Sequence, residues 1–268
     1  MKLTSSSHNH TTLSDGQNTP EEMAEAAIAA GFTDFGFSDH CDLGSCGIRS
    51  EAEYIHVMRA VQARYAGRLR IAVGLEQDYF APVQDRAALD YIIASVHYLR
   101  DASGAYCVVD GSLRELKQYI DTMFGGDVMA MVRAYYALVA EHALRDRPEI
   151  IGHLDLVKKN NKGGCLFDED GAAYRQAALE TLDICAGTGA IFEINTGGLF
   201  RGYCAEAYPA RFLLEALCER GARVTVNADA HCTAALCYAF EESLAMLREI
   251  GFSSVVVLEN GRFTDKPL

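Results

Sequence analysis

Six of the eight histidines in this chain close short strand-like runs instead of lying inside helical stretches. His40 follows Phe-Gly-Phe-Ser-Asp, His97 follows Ile-Ile-Ala-Ser-Val, and His153 follows Ile-Ile-Gly. His8 and His10 form an HxH after a weak first strand, and His231 ends Asn227-Ala228-Asp229-Ala230-His231. Glu76 closes Gly74-Leu75-Glu76 in the same way, and Glu193 and Asn195 end the run from Ala190. A fold that satisfies this pattern must bring the ends of many buried strands to one face.

The rest of the chain supplies the means. Thr33–Ser38, Arg70–Leu75, Tyr91–Val96, Ile150–Ile151, Ala190–Ile194, Arg223–Val226 and Ser254–Leu258 read as short, continuously apolar strands. Strands of parallel sheets, covered on both faces, have this character. Helical segments with legible punctuation lie between them. Thr19-Pro20-Glu21-Glu22 combines an N-cap, a Pro at the first helical position and a Glu three residues after the cap, and Gly31 ends the run. Ala52–Ala66, Gly171–Ala186 and Ala210–Arg220 are each followed by Gly, and Leu113–Arg147 holds two helices broken at Gly125-Gly126. No GxGxxG follows the first strand, so a parallel barrel is expected over a dinucleotide-binding sheet. The absence of a linker or low-complexity stretch predicts one domain over residues 1–268.

Charge and cysteine usage narrow the function. With 24 Lys+Arg against 37 Asp+Glu the net charge is −13, which disfavours a duplex-DNA partner. No apolar run is long enough to span a membrane, and Leu3 alone precedes the Ser/Thr/His segment, so neither a membrane partner nor a leader peptide is expected. Nine cysteines without CxxC spacing imply thiols and a cytoplasmic location. The oligomeric state is not encoded in any pattern found.

In a parallel barrel the C-terminal strand ends share one mouth, so the six histidines, Glu76 and Asp229 are aimed at a common space. The two-residue strand period puts His8 and His10 on one face, and does the same for Asp229 and His231. Imidazole and carboxylate without thiolate suit zinc, manganese or iron. His56 and His142 fall in helical stretches and are expected to be surface or helix residues. The net charge does not forbid an anionic small substrate, because metal ions reverse the sign of a site, and a cationic side chain would complete it. Arg201, on the loop after Asn195, is the first candidate, with Lys158 or Lys159 behind it, and the Gly197-Gly198 pair allows close approach of a ligand to the backbone.

HxH with the following Ser-Asp-Gly, then SDH, GLE, SVH, GH and DAH in this order, resembles the PHP (polymerase and histidinol phosphatase) family from His8 to His231. Within it, Gly74–Tyr79, Asp90–His97, Ile151–Leu156 and Glu193–Gly198 are similar to the histidinol-phosphate phosphatases. The resemblance implies a distorted seven-stranded, TIM-like (β/α) barrel with two to three divalent ions at its mouth. It implies one ion on His8, His10, Glu76 and Asp229, a second on Glu76, His97 and His153, and a third on Asp15, His40 and His231. Asp39 is the alternative to Asp15, and is expected instead to orient ligands. Catalysis is assigned to Arg201, Asp229 and His231, and substrate binding to Arg201, Lys158 and Asn195. The implied activity is hydrolysis of L-histidinol phosphate in histidine biosynthesis. Another phosphate ester, or a non-catalytic metal-binding module, is the alternative.

Overall fold

The computed structural model describes residues 2–44 and 46–268. Its strands are β1 (Ser5–Ser6), β2 (Asp34–Phe37), β3 (His40–Cys41), β4 (Arg70–Asp78), β5 (Tyr91–Ser95), β6 (Tyr98–Arg100), β7 (Tyr106–Val108), β8 (Ile150–Ile151), β9 (Ile191–Asn195), β10 (Val224–Asn227), β11 (Ser254–Glu259) and β12 (Arg262–Pro267). The helices are α1 (Pro20–Ala30), α2 (Glu51–Arg64), α3 (Leu113–Phe124), α4 (Val128–Asp146), α5 (Ala172–Ala186), α6 (Gly197–Phe200), α7 (Arg211–Glu219) and α8 (Phe240–Ile250).

The main sheet runs β1-β2-β4-β5-β8-β9-β10-β11-β12, parallel except for the last pair, with β3 beside β4. It curls into a distorted barrel. The β1 end returns to the β10 end through a parallel bridge, Asn9 to Ala230. At the opposite end β11 fills the seam. It pairs with β10 at Thr225–Val256, and its Leu258 amide donates to Ser5 Oγ at 3.1 Å. The expected strand Ser254–Leu258 therefore serves the base of the barrel.

A small core of Ala72, Tyr91, Ile93, Ile150, Ile191, Val256 and Leu258, flanked by Phe263, is separate from the larger helix-facing core. Tyr91 crosses this inner space, its hydroxyl 2.6 and 2.9 Å from the carbonyl oxygens of Ser7 and Phe37. Gly74 makes room for the ring, since a Cβ there would stand 2.5 Å from Tyr91 Cζ.

The helix signals in the sequence are realised at α1, where Thr19 and Glu22 form a reciprocal capping box, and at Gly125, which ends α3 in the left-handed conformation. The hairpin β6–β7, strand β12 and helix α8 come in addition to the expected elements. β6 and β7 are three residues each, and α8 starts after Ala239 at φ 56° with no side-chain cap.

Candidate metal centre

The bridge that joins the sheet ends also builds the site. Ala230 N donates to His8 O (3.3 Å) and His10 N donates to Ala230 O (2.9 Å), so the HxH and Asp-x-His segments lie side by side. Alternate residues then share a face. The His10 and His231 rings stack 4.1 Å apart, and Asp229 takes an uncommon φ of 47°.

The first set is compact. His8 Nε2 is 3.2 Å from Glu76 Oε2 and 3.6 Å from Asp229 Oδ1. His10 Nε2 is 3.5 Å and 3.1 Å from the same two oxygens. Ligands at about 2.1 Å from one ion stand roughly 3.0–3.4 Å apart in octahedral or tetrahedral geometry, so these separations fit a shared cation. Glu76 reaches further with its other oxygen: Oε1 is 2.8 Å from His153 Nε2 and 3.4 Å from His97 Nε2. His40 also faces Glu76, with Nδ1 2.8 Å from Oε2. One tight grouping thus joins His40 and His97 through Glu76, with His153 beside its Oε1. The third set holds Asp15, whose Oδ1 is 3.2 Å from His231 Nε2, 3.6 Å from His40 Nε2 and 3.9 Å from His10 Nδ1. Asp39 is not among them. Its oxygens accept from Thr11 N, Thr11 Oγ1 and Ser14 Oγ, which anchors the turn that presents Asp15.

Behind these groups lie residues to which sequence reasoning gave no role. Glu193 accepts from His8 Nδ1 (2.6 Å), from the Asn195 and Asn227 amides and from His153 N. It fixes the His8 proton on Nδ1 and turns the Nε2 lone pair to the centre. Asp78 accepts from His97 N at 2.7 Å. Asp78 stands two residues after Glu76 and Glu193 two before Asn195; that strand spacing was the available signal.

The cations divide differently from expectation. Arg201 lines the cavity, with Nη2 2.8 Å from Asp229 Oδ2 and Nη1 3.0 Å from His231 Nδ1. A Cβ on Gly197 would stand 2.8 Å from Arg201 Nη2 and from Asp229 Oδ2, so that glycine admits the pair. Lys159 also lines the cavity and bonds Asp110 Oδ2 at 3.0 Å. Lys158 does not reach it. It is buried between Asp155 (3.0 Å) and Glu206 (2.8 Å), which use its charge. Asn195 is likewise withdrawn, its side chain spent on Glu193 and on Gly197 N. Both remaining histidines lie on helices as expected: His56 is exposed on α2, and His142 is buried on α4, 3.1 Å from Asp146 and edge-on to Tyr79.

The electrostatics match a cation site. Burial opposes charge on His8 and His97, yet Glu193 and Glu76 beside the first and Glu76 and Asp78 beside the second raise both well above the usual imidazole range. His40 is raised against the same burial by Glu76. Burial and the neighbouring His231 and His40 hold His10 well below that range. Burial would raise Glu76 and Asp229, but the surrounding histidines, and for Asp229 first Arg201, depress both far below the ordinary carboxylate range. Even so, buried His8 Nε2, His10 Nδ1 and Nε2, His40 Nδ1 and Glu76 Oε2 make no hydrogen bond of acceptable geometry. Each orphaned polar atom costs about 1–3 kcal/mol. Lone pairs of imidazole and carboxylate that converge without partners are what divalent ions satisfy, and the donor set fits them.

Residues 6–197 match the PHP domain family. A probable histidinol-phosphatase of Deinococcus radiodurans is 34% identical over 93% of this chain and 94% of its own length. The histidinol-phosphatase of Bacillus subtilis is 27% identical over 88% of this chain and 97% of its length. The crystal structure of histidinol phosphate phosphatase from Lactococcus lactis, complexed with zinc, L-histidinol and phosphate, superposes with a TM-score of 0.71 at 19% identity, covering 98% of this chain and 99% of that one. That likeness extends to the fold, and the family match with the Deinococcus relative settles descent: the chain belongs to the PHP domain family.

Proposed function

We propose that this chain is a metal-dependent phosphomonoester hydrolase acting on L-histidinol phosphate in histidine biosynthesis. One observation carries the reading. Three donor sets that share or adjoin Glu76 open on a single cavity of about 280 Å³, whose wall also holds Arg201 and Lys159. Such a volume suits a small ligand, and the mixture of divalent-ion donors with cationic side chains suits a dianionic phosphate. The names of the curated relatives, and the zinc, L-histidinol and phosphate of the Lactococcus structure, support the choice of substrate.

Two to three divalent ions, zinc, manganese or iron, would be held by His8, His10, Glu76 and Asp229, by Glu76, His97 and His153, and by Asp15, His40 and His231. When bound, they supply acidified water and positive charge for the phosphoryl oxygens. The chain's own groups do the rest. Glu193 keeps the His8 ring in the Nδ1–H tautomer. Arg201 holds Asp229 through Nη2 to its carboxylate and Nη1 to its carbonyl, with Nη1 also 3.0 Å from His231 Nδ1, and its guanidinium lines the cavity, where phosphate oxygens can accept from it. Lys159, beyond the neighbouring strand β8, adds a point charge to the cavity wall, and Asp39 secures the turn that carries Asp15. The reading takes residues 1–268 as one domain, supported by a core that runs from Leu3 to Val257. Among the described residues no helix is long and apolar enough to cross a membrane, and a reducing cytoplasmic setting suits thiols such as Cys41, Cys204 and Cys232.

The test is phosphate release from L-histidinol phosphate, p-nitrophenyl phosphate, nucleoside monophosphates and short single-stranded DNA. The highest kcat/KM is expected on L-histidinol phosphate, with activity abolished by chelation and restored by metal. A preference for another ester would move the substrate assignment, and full activity in metal-free protein would end the metal reading.

A further inference from the structure

We propose that the hydroxyl of Tyr208 donates a hydrogen bond to the ester oxygen of the substrate, the atom that departs with the alcohol. The proposal rests on the phosphatase reading above and assigns to it a group that stabilises the leaving oxygen.

Tyr208 is held by backbone, not by its side chain. Asn195 N donates to Tyr208 O at 2.7 Å and Tyr208 N donates to Asn195 O at 3.0 Å, which ties it to the mouth end of β9. Its ring forms part of the cavity wall with His153, Gly198 and Arg201, edge-on to the His153 ring at 6.5 Å. Gly198 gives the ring its place, since a Cβ there would stand 2.7 Å from Tyr208 Cε2. The residue is 2% exposed, yet its hydroxyl makes no hydrogen bond within the chain. The Cys204 thiol lies beside it, and sulfur is a weak acceptor that leaves the donor capacity of the hydroxyl largely free.

A buried hydroxyl in that condition calls for a partner from outside the chain. In the reading above the cationic donors of the wall, Arg201 and Lys159, serve the phosphoryl oxygens, and Tyr203 is 43% exposed, which leaves Tyr208 for the ester oxygen. In the hydrolysis a water oxygen bonds to phosphorus, the ester P–O bond breaks with its electron pair on the ester oxygen, and that oxygen becomes the alcohol by taking a proton from the water consumed. A fixed donor aimed at an oxygen gaining charge acts in the transition state more than in the bound substrate. Tyr208 retains its own proton throughout.

The experiment compares Tyr208→Phe with the metal-loaded parent on two esters. From L-histidinol phosphate the alcohol leaves as an alkoxide and needs the donor. p-Nitrophenyl phosphate spreads its leaving charge into the ring and does not. We expect kcat on the first to fall on the order of 10- to 100-fold, and kcat on the second by less than about threefold. L-Histidinol should bind several-fold more weakly while inorganic phosphate binds as before, with metal content unchanged. The melting temperature should hold or rise, because the lost group has no partner in the chain. Equal losses on both esters, no loss on either, or a clear drop in melting temperature would overturn the proposal. A parent protein inactive on L-histidinol phosphate would instead remove the substrate reading beneath it.

Discussion

The two ends of the barrel interior are built from the same strands and obey opposite rules. At the base, Ala72, Ile93, Ile150, Ile191, Val256 and Leu258 pack around Tyr91, whose one polar atom is satisfied by two carbonyl oxygens. At the mouth, a few residues further along β4, β5 and β8, the side chains become Glu76, His97 and His153, and polar atoms are left buried without partners. The base stabilises the fold by removing apolar surface from water, about 25 cal/mol per Å². The mouth costs stability until something else fills it. Sites that work against folding in this way are where binding is concentrated.

Replacing the central group at each end separates the two rules most widely. Glu76→Gln keeps the shape but removes the charge that faces His8, His10, His40, His97 and His153. It should lose at least one metal per chain by elemental analysis and on the order of a thousandfold or more in kcat/KM, since removal of a ligand and its charge acts on several groups at once. Tyr91→Phe should do the reverse. It should lower stability by about 1–3 kcal/mol in denaturant titration by leaving Ser7 O and Phe37 O short of a donor, and keep its metals and most of its activity. If both variants lost metal alike, the ends would not be independent.

A smaller effect is expected from the rim. A charge-assisted contact is worth about 1.5–3 kcal/mol, and each 1.4 kcal/mol is about tenfold. Arg201→Ala should therefore lose on the order of 10- to 100-fold in kcat/KM with metals retained, and Arg201→Lys should recover part of it, because a point charge cannot reproduce the fork. Loss of metal in Arg201→Ala would show that its service is to tether Asp229 at 2.8 Å instead of binding phosphate.

These particulars explain what could be read from the chain and what could not. The strand ends were legible because an apolar run that stops at His or Glu carries both the period and the direction of the side chain. The lysines were not. Lys158 ends a 3₁₀ turn and Lys159 follows it, so one residue of rotation sends the first to Asp155 and Glu206 and the second to the cavity. Asn195 shares its strand face with Glu193, and only packing shows that it is used to hold that carboxylate. His142 looked like any helical histidine until α4 was laid against Tyr79. Tyr208 follows no motif. Its place depends on a backbone bridge to a strand thirteen residues earlier in sequence.

The smallest effect should appear in the response of the two states to pH. In the metal-free protein, His8, His40 and His97 carry raised values because Glu76, Glu193 and Asp78 outweigh burial. Their pairing contributes stability that is complete below the unfolded value of about 6.5 and is lost as pH climbs through the folded values. Glu76 and Asp229, depressed when folded, contribute stability present above the ordinary carboxylate range near 4 and lost as pH falls below it. His10, depressed when folded, offsets part of this below about pH 6.5. With three raised histidines against one, the metal-free protein should still be most stable between about pH 5 and 6.5 and weaken toward pH 8.5. Divalent ions need neutral imidazole, so the loaded protein gains over the same interval. A tenfold change in proton affinity between the folded and unfolded chain is worth about 1.4 kcal/mol, and in a chain of this size each kcal/mol moves the melting temperature by roughly 2–4 °C. The gap between loaded and chelated protein should thus widen from about pH 6 to 8.5 in thermal scans, by roughly 3–6 °C for each tenfold change in proton affinity. The base holds no titrating group in this range, so the Tyr91→Phe variant should show the same widening from a lower starting point. A gap that stays constant with pH would mean that protons and metal do not compete for the same nitrogens, and the contrast between mouth and base would lose its electrostatic origin.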